Sequence, residues 1–300
     1  MSTHVPAHAS AAPTAQAPAR TAVGTAPASS VPRPAGPRIQ GRQTILRSVH
    51  AEWIKFWSLR STWITSFITI ALTVLFGAGL TAALGQSEHY QDTAKNMITS
   101  GLTFGQVVVA VLGALIITGE YSSGQIRSSL TAIPHRGRLL LAKAVVLSVV
   151  AFLLGSVSVF LSWAISKPFI GEHAGSLTDS HYAGHIWGSG LVFAVIALMA
   201  LGLGFLLRST AGTITVIVSL LFIISTPLQI AASKWDWIYK IIGCLPSTVS
   251  EAVSDPFQRT TEWGGQGAQF LTHGQAIAVF AAWAIVPLLI AWFVFSRRDA

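Results

Sequence analysis

Six stretches of this sequence are long and apolar enough to cross a bilayer, and no other feature constrains the fold so tightly. They run over residues 63–84, 101–119, 139–165, 186–207, 211–232 and 275–295. Each is near the ~20 residues a helix needs to cross a ~30 Å hydrocarbon core. Hydrocarbon offers backbone groups no hydrogen-bond partner, so apolar segments of this length are helices. Composition agrees: charged residues are 10% of the 300, where soluble domains run near 25%. So few charges cannot cover a water-facing surface. The predicted fold is all-α and integral to the membrane, with six transmembrane helices.

The distribution of Lys and Arg sets the orientation. One side of the membrane receives Arg20, Arg33, Arg38, Arg42, Arg47, Lys55, Arg60, Arg127, Arg136, Arg138, Lys143, Arg208, Arg297 and Arg298. That side holds 14 basic and 3 acidic residues, a net +11; the other holds 5 basic and 8 acidic, a net −3. Both termini are therefore expected in the cytoplasm of a multi-pass cell-membrane protein. The basic excess sits beside apolar spans, so it requires no nucleic-acid partner; membrane lipids are the partner it implies.

Ahead of the spans, residues 1–42 are rich in Ala and Pro and contain no acid and no apolar run. The sequence predicts a disordered cytoplasmic tail without a secretory signal, followed by a membrane domain over 43–300. Between tail and first span, Ile45, Val49, Trp53, Phe56 and Trp57 share one helical arc, with Arg47, His50, Lys55 and Ser58 opposite. Glu52, Ile54 and Arg60 break the pattern. This predicts an N-terminal amphipathic helix lying in the membrane plane; a plain extension of the first span is the alternative.

The chain has no G-x-x-x-x-G-K-[ST] loop to cradle nucleotide phosphates, and no Gly-Lys pair at all. Span centres carry no ionisable residue, since Glu120, Lys143 and Arg208 fall at cytoplasmic ends, so no ion relay is visible. His181 and His185 stand at i and i+4 as in a metal-binding helix, but Tyr182 occupies the place where a zinc protease needs Glu. A solvated pair on an external loop is the reading preferred over an intramembrane hydrolase. The single Cys244 forms no intrachain disulfide. No catalytic residue, metal or cofactor is expected, and a carrier without motor or ion relay needs an outside source of energy.

The segment after the second span is the informative one. Read as one helix over 118–134, it places Ile126, Leu130 and Ile133 on a narrow apolar face, with Glu120 and Arg127 together on another meridian near Ser123 and Gly124. Pro134 ends it. Such a helix is a docking surface for a cytoplasmic partner; the alternative is a solvated ion pair of little energetic weight.

The stretch LGALIITGEYSSGQIRSSLTAIPHRGRLLLAKA (112–144) resembles the cytoplasmic segment of type-2 ABC transporter permeases, and AEWIKFWSLRSTW (51–63) resembles their in-plane helix. The resemblance implies two permease copies, a homodimer being the simplest case, paired with separate cytoplasmic ATP-binding subunits. It also implies that the Glu-x-x-x-Gly loop is a coupling helix, so that Glu120, Tyr121, Gly124 and Arg127 would meet the ATPase. Short external helices before the last span also fit, with Trp235, Trp237, Ile238, Ile241 and Ile242 ending near Leu245-Pro246. The implied function is the permease subunit of an ATP-driven exporter of unidentified substrate. A sensor, immunity or assembly protein that docks a partner through the same loop is the rival.

Other residues carry two readings. Trp163, Trp187 and Trp283 either anchor span ends at the interface, the preferred reading, or line a path. Gly77, Gly79, Gly202 and Gly204 either permit close helix packing or line a path. Pro227 and Pro287 are expected to kink the last two spans.

Overall fold

The computed structural model describes residues 44–86, 95–171, 176, 180–254 and 271–297. The tail 1–42, with the disorder expected of it, lies outside these. A surface helix α1 (Ile45–Ser58) leads into the first span α2 (Arg60–Gly85). A 3₁₀ turn (Lys95–Thr99) and α3 (Leu102–Ser122) form the second span, followed by a short helix α4 (Gln125–Ala132). The third and fourth spans are α5 (Arg136–Ile170) and α6 (Ser180–Leu207). The fifth comprises α7 (Thr210–Val218), a π-turn (Ser219–Ile223) and α8 (Ser225–Ala232). Two short helices, α9 (Ile238–Gly243) and α10 (Pro246–Ser254), precede the last span α11 (His273–Arg297). Among the described residues, six helices are thus long and apolar enough to cross a membrane, at the six places hydropathy indicates.

The fourth span forms the centre. Phe193, Ile196, Ala197, Met199, Ala200 and Leu201 on α6 are fully buried against the neighbouring helices. Small polar residues line the faces that α2 turns to α3 and α5. Thr69, Thr73 and Thr81 of α2 are buried, as are Ser158, Ser162 and Ser166 of α5. Each hydroxyl donates to the carbonyl four residues earlier, at 2.6–3.0 Å. Back-bonding of this kind lets small polar side chains line a helix contact without orphaned donors. The large apolar residues of α2, such as Phe67 and Leu75, accordingly face outward.

Among the glycines singled out by sequence, Gly77, Gly202 and Gly204 pack against neighbouring spans, while Gly79 faces open space. Gly202 shows why: a Cβ there would lie 2.8 Å from the Pro287 backbone. The α6–α11 crossing therefore depends on a bare α-carbon. Pro287 lies inside the helix assigned as His273–Arg297. Pro227 acts one turn ahead of itself. In an α-helix its ring would clash with the Ile223 carbonyl; instead residues 219–223 widen into a π-turn, with the Ile224 N–H on the Ser219 carbonyl at 2.9 Å.

α5 is longer than expected. Its 35 residues span roughly 52 Å at ~1.5 Å per residue, well beyond the ~30 Å core. Its first two turns, which carry Arg136, Arg138 and Lys143, lie at the basic end of the bundle with α1 and α4. At the opposite end, the Trp283 indole donates to the Cys244 carbonyl at 2.8 Å, tying α11 to the α9–α10 junction. Trp163 is buried beneath Lys167, whose Nζ is 5.2 Å from the ring centre, so its expected place as an interfacial anchor is corrected to the core. Trp187 stays half exposed.

His185 also departs from expectation. It sits on α6 rather than a solvated loop, is 1% exposed, and its Nδ1 pairs with the Ser254 carbonyl at 2.9 Å. The ring thereby fastens α10 to α6. The His181 side chain lies outside the described residues.

Candidate functional site

Four elements meet at the basic end: α1, the end of α3, α4 and the start of α5. The sequence-based reading of one helix through 118–134 is corrected here, because the chain breaks at Gly124. That residue has φ +70°, a left-handed conformation that glycine adopts without the penalty a Cβ imposes. α3 therefore stops at Ser122, where the Ser122 and Ser123 hydroxyls bond back to the Gly119 carbonyl. α4 starts in a new direction, with the Arg127 N–H on the Gly124 carbonyl. Glu120 and Arg127 thus sit on different helices and do not share a meridian.

The apolar face of α4 lies where its spacing predicted. Ile126 is buried, Leu130 packs beside it on the core, and Ile133, just past the end of the helix, is buried too. Opposite, Gln125, Arg127, Ser128 and Thr131 are exposed. Between α1 and α4 runs a groove of about 350 Å³, bordered by Arg47 and Lys55 on one side and Gln125 and Ser128 on the other.

Glu120 points inward. It is 3% exposed and pairs with both Lys55 of α1 and Lys143 of α5. Lys143, 2% exposed, reaches Glu52 of α1 as well, with Nζ 2.8 Å from Oε2. Ser129 of α4 completes the cluster: its hydroxyl donates to Glu120 Oε2 at 3.2 Å and stands 3.2 Å from Lys55 Nζ. Two carboxylates and two ammonium groups give zero net formal charge. A buried cluster can be kept ionised only when its charges compensate and are hydrogen-bonded in this way. Breaking any one pair exposes the rest to an uncompensated interior.

A second tie runs from Tyr121 to the turn between the fourth and fifth spans. The Arg208 guanidinium lies 4.9 Å from the centre of the Tyr121 ring. Arg208 has φ +52° in that two-residue turn, a left-handed conformation costing roughly 1 kcal/mol for a side chain. Ser209 accepts from the Gly212 N–H to cap α7, and the Thr118 and Thr210 hydroxyls meet at 2.6 Å. The end of α3 is thereby joined to α1, α4, α5 and α7 together.

Of the residues expected at the site, Gly124 and Arg127 lie on its surface, Tyr121 is half-buried and Glu120 is enclosed. Glu52, Lys55, Lys143 and Ser129 were not anticipated. Two of them had left a mark in the sequence: Glu52 broke the apolar arc of α1, and Lys143 lies seven residues into a 35-residue helix. The charges of the cluster join α1, α3 and α5, and the Ser129 hydroxyl ties α4 to them, which makes the cluster a mechanical joint.

Residues 48–226, well over half of the chain, match the family described as ABC-2 family transporter protein. The chain belongs to that family. Comparison with curated proteins gave no match. The ABC-2 match begins inside α1 and ends within the fifth span, so it takes in the whole charged joint and α4. α9, α10 and α11 lie beyond it. Membership and the six apolar helices together make this a multi-pass membrane permease.

Proposed function

We propose that this ABC-2 permease is the membrane-spanning subunit of an ATP-driven exporter of the cell membrane, with ATP hydrolysed by a separate cytoplasmic subunit. The observation that carries this reading is α4. It is a short helix held outside the spans, buried at Ile126, exposed along Gln125, Arg127 and Ser128, and tied by the Ser129 hydroxyl to Glu120, which pairs with Lys55 of α1 and Lys143 of α5. In this reading α4 is the coupling helix and the basic end, with both termini, is cytoplasmic.

Roles follow from placement. Arg127 and the exposed edge of α4 contact the ATP-binding subunit, in or beside the α1–α4 groove. Gly124 is the break that lets α4 stand at an angle to the span. Tyr121, held by Arg208, transmits movement of α4 to the fourth and fifth spans. Glu120 transmits it to α1 and α5 through Lys55 and Lys143. Movement imposed on α4 by nucleotide binding would then reach several spans at once.

A second copy of the chain completes the transporter. The fifth span supports this, being the least buried of the six, at 11% over its apolar stretch. It exposes Thr215, Thr226 and Gln229, polar groups that favour a protein neighbour over lipid tails. Affinity purification in mild detergent tests the proposal. A nucleotide-hydrolysing subunit should co-isolate with wild type, and Arg127→Glu should release it while the melting temperature of the permease stays unchanged. Retention of that subunit by Arg127→Glu would remove α4 from the interface.

A further inference from the structure

A second group of cations at the basic end takes no part in the charged joint. It lies where α5 begins beside the end of α11, around a cavity of about 570 Å³ lined by His135, Arg136, Arg138, Leu141, Trp292 and Ser296, among others. Among the described residues, no acidic one lines it. Arg136 is held in place: its guanidinium donates to the Phe295 carbonyl at 2.9 Å and lies 5.7 Å from the centre of that ring. Arg297 brings another cation to the same helix end, stacked 3.9 Å over Phe293. Arg298 and Asp299, one charge of each sign, follow outside the described residues.

The apolar part of the lining distinguishes this cavity from a plain anion site. Leu141 and Trp292 are each about half exposed. Both belong to spans, one turn inside the cationic rim. The Trp292 indole lies directly on Gly137, with its nitrogen 2.7 Å from where a Cβ would stand. Any larger residue at 137 would push the ring away. Cations at headgroup depth above an exposed aliphatic and indole wall match a ligand with an anionic head and a hydrocarbon tail. A soluble phosphate would use the cations and leave the wall bare to lipid. An acidic segment of a partner protein would do the same.

We propose that this cavity binds an anionic phospholipid of the leaflet at the basic end. The phosphodiester lies among His135, Arg136 and Arg138, and an acyl chain runs along Leu141 and Trp292. The inference needs only that the chain spans a membrane, and stands whether or not an ATPase docks at α4.

The test is native mass spectrometry of the full chain in mild detergent, offered equal amounts of phosphatidylglycerol and phosphatidylcholine with identical acyl chains. Phosphatidylglycerol should be retained preferentially, and millimolar inorganic phosphate should not displace it. Arg138→Gln should lower its retention about fivefold, the effect of one basic group at a membrane surface, and leave phosphatidylcholine unchanged. Ser296→Glu, which adds an acid at an exposed position on the rim, should do the same should Arg138→Gln fold poorly. Equal retention of the two lipids, or a preference untouched by either variant, would overturn the proposal and leave the cavity to an acidic partner segment. Displacement by phosphate would reassign it to a soluble anion.

Discussion

Replacing Lys143 by Met should test the charged joint most severely. Lys143 is 2% exposed and sits between Glu52 and Glu120, themselves 8% and 3% exposed. Methionine fills similar volume, so the loss is of charge rather than packing. Without the ammonium, Glu120 keeps Lys55 and Ser129, but Glu52 is left buried without the 2.8 Å partner seen here. Removing one member of a buried ion pair costs about 3–5 kcal/mol. In a domain of this size that corresponds to a melting temperature lower by about 6–20 °C. The double variant Lys143→Met/Glu120→Gln removes one charge of each sign. It leaves Glu52 and Lys55 three residues apart on α1, a spacing at which they can pair. The double variant should therefore be more stable than Lys143→Met alone, with a coupling of at least ~1 kcal/mol, above the ~0.5 kcal/mol within which independent sites add. Thermal unfolding in detergent, followed by the fluorescence of Trp53 and its neighbours, reads all four members of the cycle. Strictly additive losses would refute the joint as an electrostatic unit.

Three further outcomes are expected. Gly124→Ala should cost about 1 kcal/mol, because φ +70° is a left-handed conformation; it should also weaken partner-stimulated ATP hydrolysis more than Ala at exposed Ser128 does. Gly202→Ala should destabilise by about 1–3 kcal/mol, since the new methyl would come 2.8 Å from the Pro287 backbone and prise α6 from α11; an unchanged melting temperature would show that this crossing is loose. Deleting residues 1–42 should leave both the melting temperature of the six-span domain and its ATPase coupling as in the full chain, as expected of an Ala/Pro-rich tail.

Hydropathy alone located the spans, because a lipid-facing helix must be apolar along its whole length. The apolar edge of α4 was legible for a similar reason: Ile126, Leu130 and Ile133 recur at helical spacing within one short element. What stayed hidden was contact between elements. Glu52 spoiled the apolar arc of α1, and only the presence of Lys143 from α5 explains it. Periodicity reports one helix at a time and says nothing of a partner some 90 residues away. Glu120 read as a surface charge because the 118–134 segment scans as one continuous helix. The left-handed Gly124 turns α4 away and leaves Glu120 facing the bundle. His185 read as a solvated loop residue for want of any sign of α10, whose Ser254 carbonyl holds it. The π-turn was foreshadowed by Pro227, though widening of the preceding turn, rather than a kink at the proline, takes up the clash.

Contact between α4 and an ATP-binding subunit is read most directly by photo-crosslinking in cells. A photoreactive residue would replace exposed Arg127 at the basic end and, in a control, exposed Trp237 beside α9 at the other end. An adduct should form between position 127 and a nucleotide-hydrolysing protein, be lost when Gly124 is also changed to Val, and be absent from position 237. Capture of that protein from 237, or its absence at 127 despite stable expression, would rule out α4 as the coupling helix.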